Sequence, residues 1–147
     1  MGRPVAVALA VLAVATLAAC GGTERLTKGQ YERRVTGIYA TVGKAFRAAG
    51  TGSAGLRRMK IALDGAARRL DALRPPRGAE HDHATLVEAT RDYAAQVDLV
   101  RASVDLGDPL TIASHLREVT APLAIRRALR DLRARGYRIP VTVLAVP

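Results

Sequence analysis

Two pairs of residues in this chain have a spacing that could place chemistry on one face of a helix: Glu80-x-x-His83 and, in the reverse order, His115-x-x-Glu118. Side chains three positions apart are neighbours on a helix surface. Glu-x-x-His is also the unit from which carboxylate-bridged di-metal bundles are built, which need two such pairs and two further inward glutamates. Only one copy stands in that order, and the long helices offer no matching inward pair of glutamates. His81 and His83 are two apart, so on a helix they point in different directions. Glu80 and Asp82 are equally suited to a first helical turn, where carboxylates interact favourably with the helix dipole, with His83 at the edge of the core. The expectation is therefore no metal and no other cofactor, with Glu80 and His83 as the residues to examine for one.

Other spacings lead less far. Gly50-Thr51-Gly52-Ser53-Ala54-Gly55 spells G-x-G-x-x-G, but that fingerprint needs a strand leading into a turn and then a helix whose N-terminus meets a pyrophosphate. Here a helix precedes it, so it reads as a flexible interhelix loop. No G-x-S-x-G, no H-E-x-x-H and no Cys pair occurs. Ser103 and Ser114 are lone hydroxyls on expected helices, and few carboxylates fall on apolar stripes where a raised-pKa acid would sit. The expectation is a protein that is not an enzyme.

Composition narrows the classes. The chain has 147 residues, enough for one domain, with 20 Arg against 3 Lys and a formal charge of +10. One Cys cannot form an internal disulfide, and with three His it cannot build a zinc site on a Cys pair. Hydrophobic residues make up 49%, which excludes a disordered polycation.

The Cys is placed tellingly. After Arg3 the chain is uncharged from Val5 to Ala19 and then reads Leu17-Ala18-Ala19-Cys20-Gly21-Gly22. A membrane-spanning helix takes about 20 apolar residues, and this shorter, Ala-rich run reads as a signal peptide. Leu17, Ala18 and Ala19 before Cys20 resemble the bacterial lipobox. That resemblance implies cleavage before Cys20 by a dedicated signal peptidase and acylation of its thiol, anchoring the protein at the extracytoplasmic face of the cell membrane. Two or three acyl chains, at about 0.8 kcal/mol per buried methylene, anchor stably where one does not. Export also removes nucleic acid as the expected partner of the basic charge.

The elements that must position these residues follow from helical periodicity. Tyr31, Val35, Ile38, Val42, Phe46 and Ala49 form one stripe, opened by a Thr27/Gln30 capping box with Leu26 as a hydrophobic staple and closed by Gly50. Leu56, Met59, Leu63, Ala66, Leu70 and Leu73 form the second, with Ser53 as N-cap and a stop before Pro75-Pro76. The third runs through His83, Leu86, Thr90, Tyr93, Val97, Val100 and Val104 to Gly107. The fourth opens on Asp108-Pro109, runs through Ile112, Leu116, Val119, Leu123, Leu129 and Leu132, and is expected to kink or break near Pro122. These stretches predict an all-α fold, an antiparallel four-helix bundle. The resulting division is 1–19 signal peptide, 20–26 lipidated Cys and tether, 27–138 helical bundle, and 139–147 an apolar tail that is either a strap over the bundle or a frayed end.

With its lipobox, Leu70-Asp71-Ala72-Leu73-Arg74-Pro75-Pro76, His83-x-x-Leu86 and Leu132-Arg133-Ala134-Arg135-Gly136-Tyr137, the chain resembles small helical lipoproteins of high-GC actinobacteria. The likeness implies location and fold, not an activity. Charge divides by segment: residues 80–108 hold seven acids and two Arg, whereas the other three helical segments are strongly basic. In an up-down bundle tethered at its first helix, Arg68, Arg69, Arg74, Arg133, Arg135 and Arg138 gather at the membrane-proximal end, with Arg25, Lys28, Arg33, Arg34 and Arg77 beside them. Near anionic headgroups each adds about 1 kcal/mol within a Debye length. The function expected is a non-enzymatic envelope lipoprotein that engages an envelope protein or cell-wall partner through its helical faces. A carrier of a small ligand or metal in an interhelical pocket is the alternative.

Overall fold

The computed structural model describes residues 24–140, so Leu17, Ala18, Ala19, Cys20 and the tail beyond Pro140 lie outside the described residues. Within that span the chain is helical throughout, with no strand: α1 Lys28–Ala49, α2 Gly52–Asp71, α3 Glu80–Leu106, α4 Pro109–Arg117 and α5 Ala121–Ala134.

Local sequence accounts for most boundaries. Thr27 Oγ1 accepts from the Gln30 N–H at 3.3 Å and Gln30 Oε1 accepts from the Thr27 N–H at 2.9 Å, a complete capping box at the head of α1. Leu26 packs against the core just before it. Asp108 caps α4 through the Leu110 N–H at 3.0 Å, with Pro109 in the first turn. α3 closes on Gly107 in the left-handed conformation, φ 70°.

The expected Ser53 cap is corrected. α2 starts earlier, at Gly52, behind Thr51, which makes no side-chain cap bond. The turn is tight, because Gly50 and Gly52 both take positive φ and a Cβ on Gly55 would stand 2.5 Å from the Gly50 carbonyl oxygen. The expected loop is thus a two-residue corner whose glycines let two helices approach.

The long α3, 27 residues, packs against α2, α4 and α5, while α1 packs on α2. Tyr31, Val35, Ile38 and Val42 of α1 are buried, as are Leu63, Ala66 and Leu70 of α2 and Leu86, Tyr93 and Val97 of α3. The fourth stripe is corrected in part. Leu116 and Leu123 are 55% and 63% exposed, and α4 buries no residue at all. The helical path is interrupted at residues 118–120, and α5 begins with Pro122 in its first turn. Proline has no N–H and its ring would strike the carbonyl four residues back, that of Glu118. Leu129 and Leu132 of the expected stripe are fully buried, and beyond the interruption Ile125 and Ala128 join them in the core. The Ala121 N–H, freed at the start of α5, donates to Gln96 Oε1 on α3 at 3.1 Å.

The chain that leaves α5 packs onto the helices. Tyr137 and Ile139 are 8% and 1% exposed, and Tyr137 packs edge-on against Tyr31 with ring centroids 5.7 Å apart. The chain after α5 therefore belongs to the packed body at least as far as Ile139.

Candidate functional site

One end of the molecule is stitched together by the residues that begin α1, end α2, begin α3 and follow α5. The Leu26 N–H donates to the Arg74 carbonyl at 2.9 Å. Arg25 Nη1 donates to the Pro75 carbonyl at 3.2 Å and to the Glu80 carboxylate, forming an ion pair with the latter. Arg135 Nη1 donates to the Gly78 carbonyl at 2.7 Å, and the Arg138 N–H donates to Glu32 Oε1 on α1 at 2.8 Å. Lys28 Nζ lies 5.2 Å from the centre of the Tyr137 ring, a cation–π contact.

Around this end Arg68, Arg69, Arg74, Arg133, Arg135 and Arg138 are all exposed. They are not equivalent. Arg69 Nε turns back to the Gly65 carbonyl at 3.1 Å. Arg135 is committed inward: its Nε stands 3.0 Å from Asp82 Oδ2, a carboxylate only 4% exposed. That N–H is not aimed along a hydrogen bond, so Oδ2 has a counter-charge but no donor. Arg135 thus serves as a clasp between the chain after α5 and the first turn of α3.

The candidate metal pair separates into two structural roles. Hydrogen bonds from its own backbone N–H and from Gly78 at 2.6 Å, with the Arg25 guanidinium alongside, hold the Glu80 carboxyl below the usual carboxylate range. His83 is buried, with Nδ1 3.2 Å from the Tyr31 hydroxyl and the two rings meeting edge-on. Burial pushes the imidazole below its ordinary pKa, against the Asp71 charge and the Leu70 carbonyl, which raise it. No group of three His, Cys, Asp or Glu could hold a metal ion among the described residues.

Three polar contacts escaped the sequence. Tyr39, off the expected stripe, is fully buried and its hydroxyl meets Thr90 Oγ1 at 2.9 Å. Thr90 in turn donates to the Leu86 carbonyl at 2.6 Å, leaving its oxygen to accept from Tyr39. Ser103 Oγ lies 2.6 Å from His115 Nδ1, which on distance alone resembles a nucleophile and its base. The proton balance says otherwise. Ser103 gives its one proton to the Leu99 carbonyl at 2.9 Å, so His115 Nδ1 is the donor, and the serine is 1% exposed. The pair pins α4 to α3. Neither Tyr–His nor Ser–His pairing carries a motif spacing, because each joins different helices; an apolar stripe interrupted by one polar residue, as at His83 and Thr90, was the available signal.

Clefts between helices are lined by charged residues. One of about 420 Å³ lies between α3 and α5, beside His81, Asp82, Arg127, Asp131 and Arg135. Another of about 430 Å³ lies between the end of α2 and α3, beside Asp71, His83, Glu88 and Arg91. Charge crosses between elements as Arg91–Asp71 at 2.8 Å as well as through Arg25–Glu80 and Arg135–Asp82. No helix among the described residues is long and apolar enough to cross a membrane. No protein-family model, curated protein or solved structure matches the chain.

Proposed function

We propose that this chain is a lipid-anchored lipoprotein of the cell envelope that works by binding rather than by catalysis. Its helices act as an antiparallel four-helix bundle, with α4 and α5 as one interrupted arm. Cys20, behind Leu17, Ala18 and Ala19, is the acylated residue. The anchor holds the end that carries Arg68, Arg69, Arg74, Arg133 and Arg138 against anionic headgroups, and the opposite faces meet an envelope protein.

The observation that supports this reading best is the hydrogen bond between the Leu26 N–H and the Arg74 carbonyl, together with the Arg25 contacts to Pro75 and Glu80. These contacts hold the end of α2 and the start of α3 close to residue 24, the first described residue after Cys20. Exposed arginines at that end would lie in the headgroup potential of an anchored protein.

The test is metabolic labelling of the full chain with palmitate in a bacterial host, followed by membrane fractionation. The wild type is expected to carry label and sediment with membranes, and Cys20→Ser is expected to carry none and to lose its stable membrane association. A wild type without label, or a Cys20→Ser chain that still carries it, would refute the anchor.

A further inference from the structure

We propose that the cleft between the start of α1 and the end of α2 is a phosphate site, which in the anchored protein takes the phosphate of an anionic lipid headgroup. This source of the phosphate rests on the lipoprotein reading above. The cleft itself does not.

The cleft measures about 380 Å³, at the small end of ligand sites. Arg34 and Arg74 line it from opposite elements, with Gln30 and Thr27 between them. Both guanidiniums are exposed, and neither makes an ion pair among the described residues. Arg25, the third arginine of the lining, is already held by Glu80 and the Pro75 carbonyl, so it shapes the wall instead of serving a ligand.

Chemistry selects the ligand. Planar guanidiniums suit the bidentate recognition of phosphate oxygens. Gln30 Oε1 is taken by the Thr27 N–H, which leaves the Gln30 amide NH2 as a neutral donor in the same wall. Leu26 and Leu73 form the apolar part of the lining, suited to the glycerol carbons that follow a headgroup phosphate. Glu24 is the one carboxylate in the lining and disfavours highly charged anions. Position adds to this. Three residues separate Cys20 from Glu24, so the four Cα-to-Cα steps reach at most about 14 Å at full extension. An acylated Cys20 therefore keeps the cleft within the headgroup layer.

The test uses the full chain in neutral detergent micelles, with phosphorus NMR of two probes: inorganic phosphate in solution and phosphatidylglycerol mixed into the micelles. The variant is Arg34→Gln with Arg74→Gln. The control is Arg57→Gln with Arg117→Gln, which removes the same charge from exposed sites elsewhere on α2 and α4. Loss of charge-assisted hydrogen bonds predicts binding weakened by about ten-fold or more in the variant. The control is expected to change by less than about two-fold, the scale of screened surface charge.

Equal weakening in both double variants would reduce the effect to net charge and overturn the site. So would a wild type that binds neither probe. Binding of inorganic phosphate but not phosphatidylglycerol, with the same variant pattern, would retain the phosphate site and overturn the headgroup as its source. The Cys20→Ser chain is expected to bind inorganic phosphate like the wild type, so failure of the anchor and failure of the cleft give different results.

Discussion

Tyr31 on α1 and His83 on α3 meet inside the helical core, hydroxyl to Nδ1 at 3.2 Å, although the two helices make no close backbone contact. The His83 and Tyr137 rings both meet the Tyr31 ring edge-on, each with centroids 5.7 Å from it. A protonatable group thus sits where its charge would have little solvation.

The pH dependence follows with a definite sign. His83 has a folded-state pKa below its unfolded value, chiefly because of burial. Below an ordinary histidine pKa of about 6.5 the unfolded chain binds the proton more readily, so stability is whole above that pH and falls as pH drops through it. Thermal unfolding at pH 7.5 and 5.5 is expected to give a lower Tm at the acid value, and His83→Gln should flatten the difference. An unchanged slope in the variant would assign the loss to other groups.

Two glycines should respond to alanine with opposite signs. Gly37 on α1 has open space around a new Cβ, so Gly37→Ala is expected to stabilise by about 0.5–1 kcal/mol through helix propensity. On α2 a Cβ at Gly55 would stand 2.5 Å from the Gly50 carbonyl oxygen, and Gly55→Ala should destabilise by about 1–3 kcal/mol as the corner is forced open. Urea denaturation of the two variants reads both signs directly.

The Arg135–Asp82 clasp predicts a rescue. Arg135→Ala strands a carboxylate that is 4% exposed and should cost about 1–2 kcal/mol, at the lower end for a broken buried pair because the guanidinium is half exposed. Asp82→Asn in the same chain removes the stranded charge and should recover much of that loss. If the double variant is as unstable as Arg135→Ala alone, the arginine acts through its bond to the Gly78 carbonyl instead.

Much of the fold was legible from local signals. The Thr27/Gln30 box, Asp108-Pro109 and Gly107 mark helix ends because capping bonds and φ preferences are settled within a few residues. Periodicity marked the stripes of α1 and α3 for the same reason, since 3.6 residues per turn decides which side chains share a face. The helical period breaks just before Pro122. Leu116 is exposed because α4 buries no side chain, and just past the interruption Leu123 is exposed while Ile125 is buried, although Leu129 and Leu132 keep their expected place in the core.

By itself the sequence determined an all-helical fold over the described residues, most of its helix ends, and the contrast between an acidic third segment and basic neighbours, all consequences of short-range geometry and residue type. Only the tertiary structure decided that Arg135 is a clasp, that Ser103 and His115 pin two helices, and that Ile139 belongs to the core. Each of these depends on which residues from distant parts of the chain are brought within about 3–4 Å, the range over which hydrogen bonds and packing act.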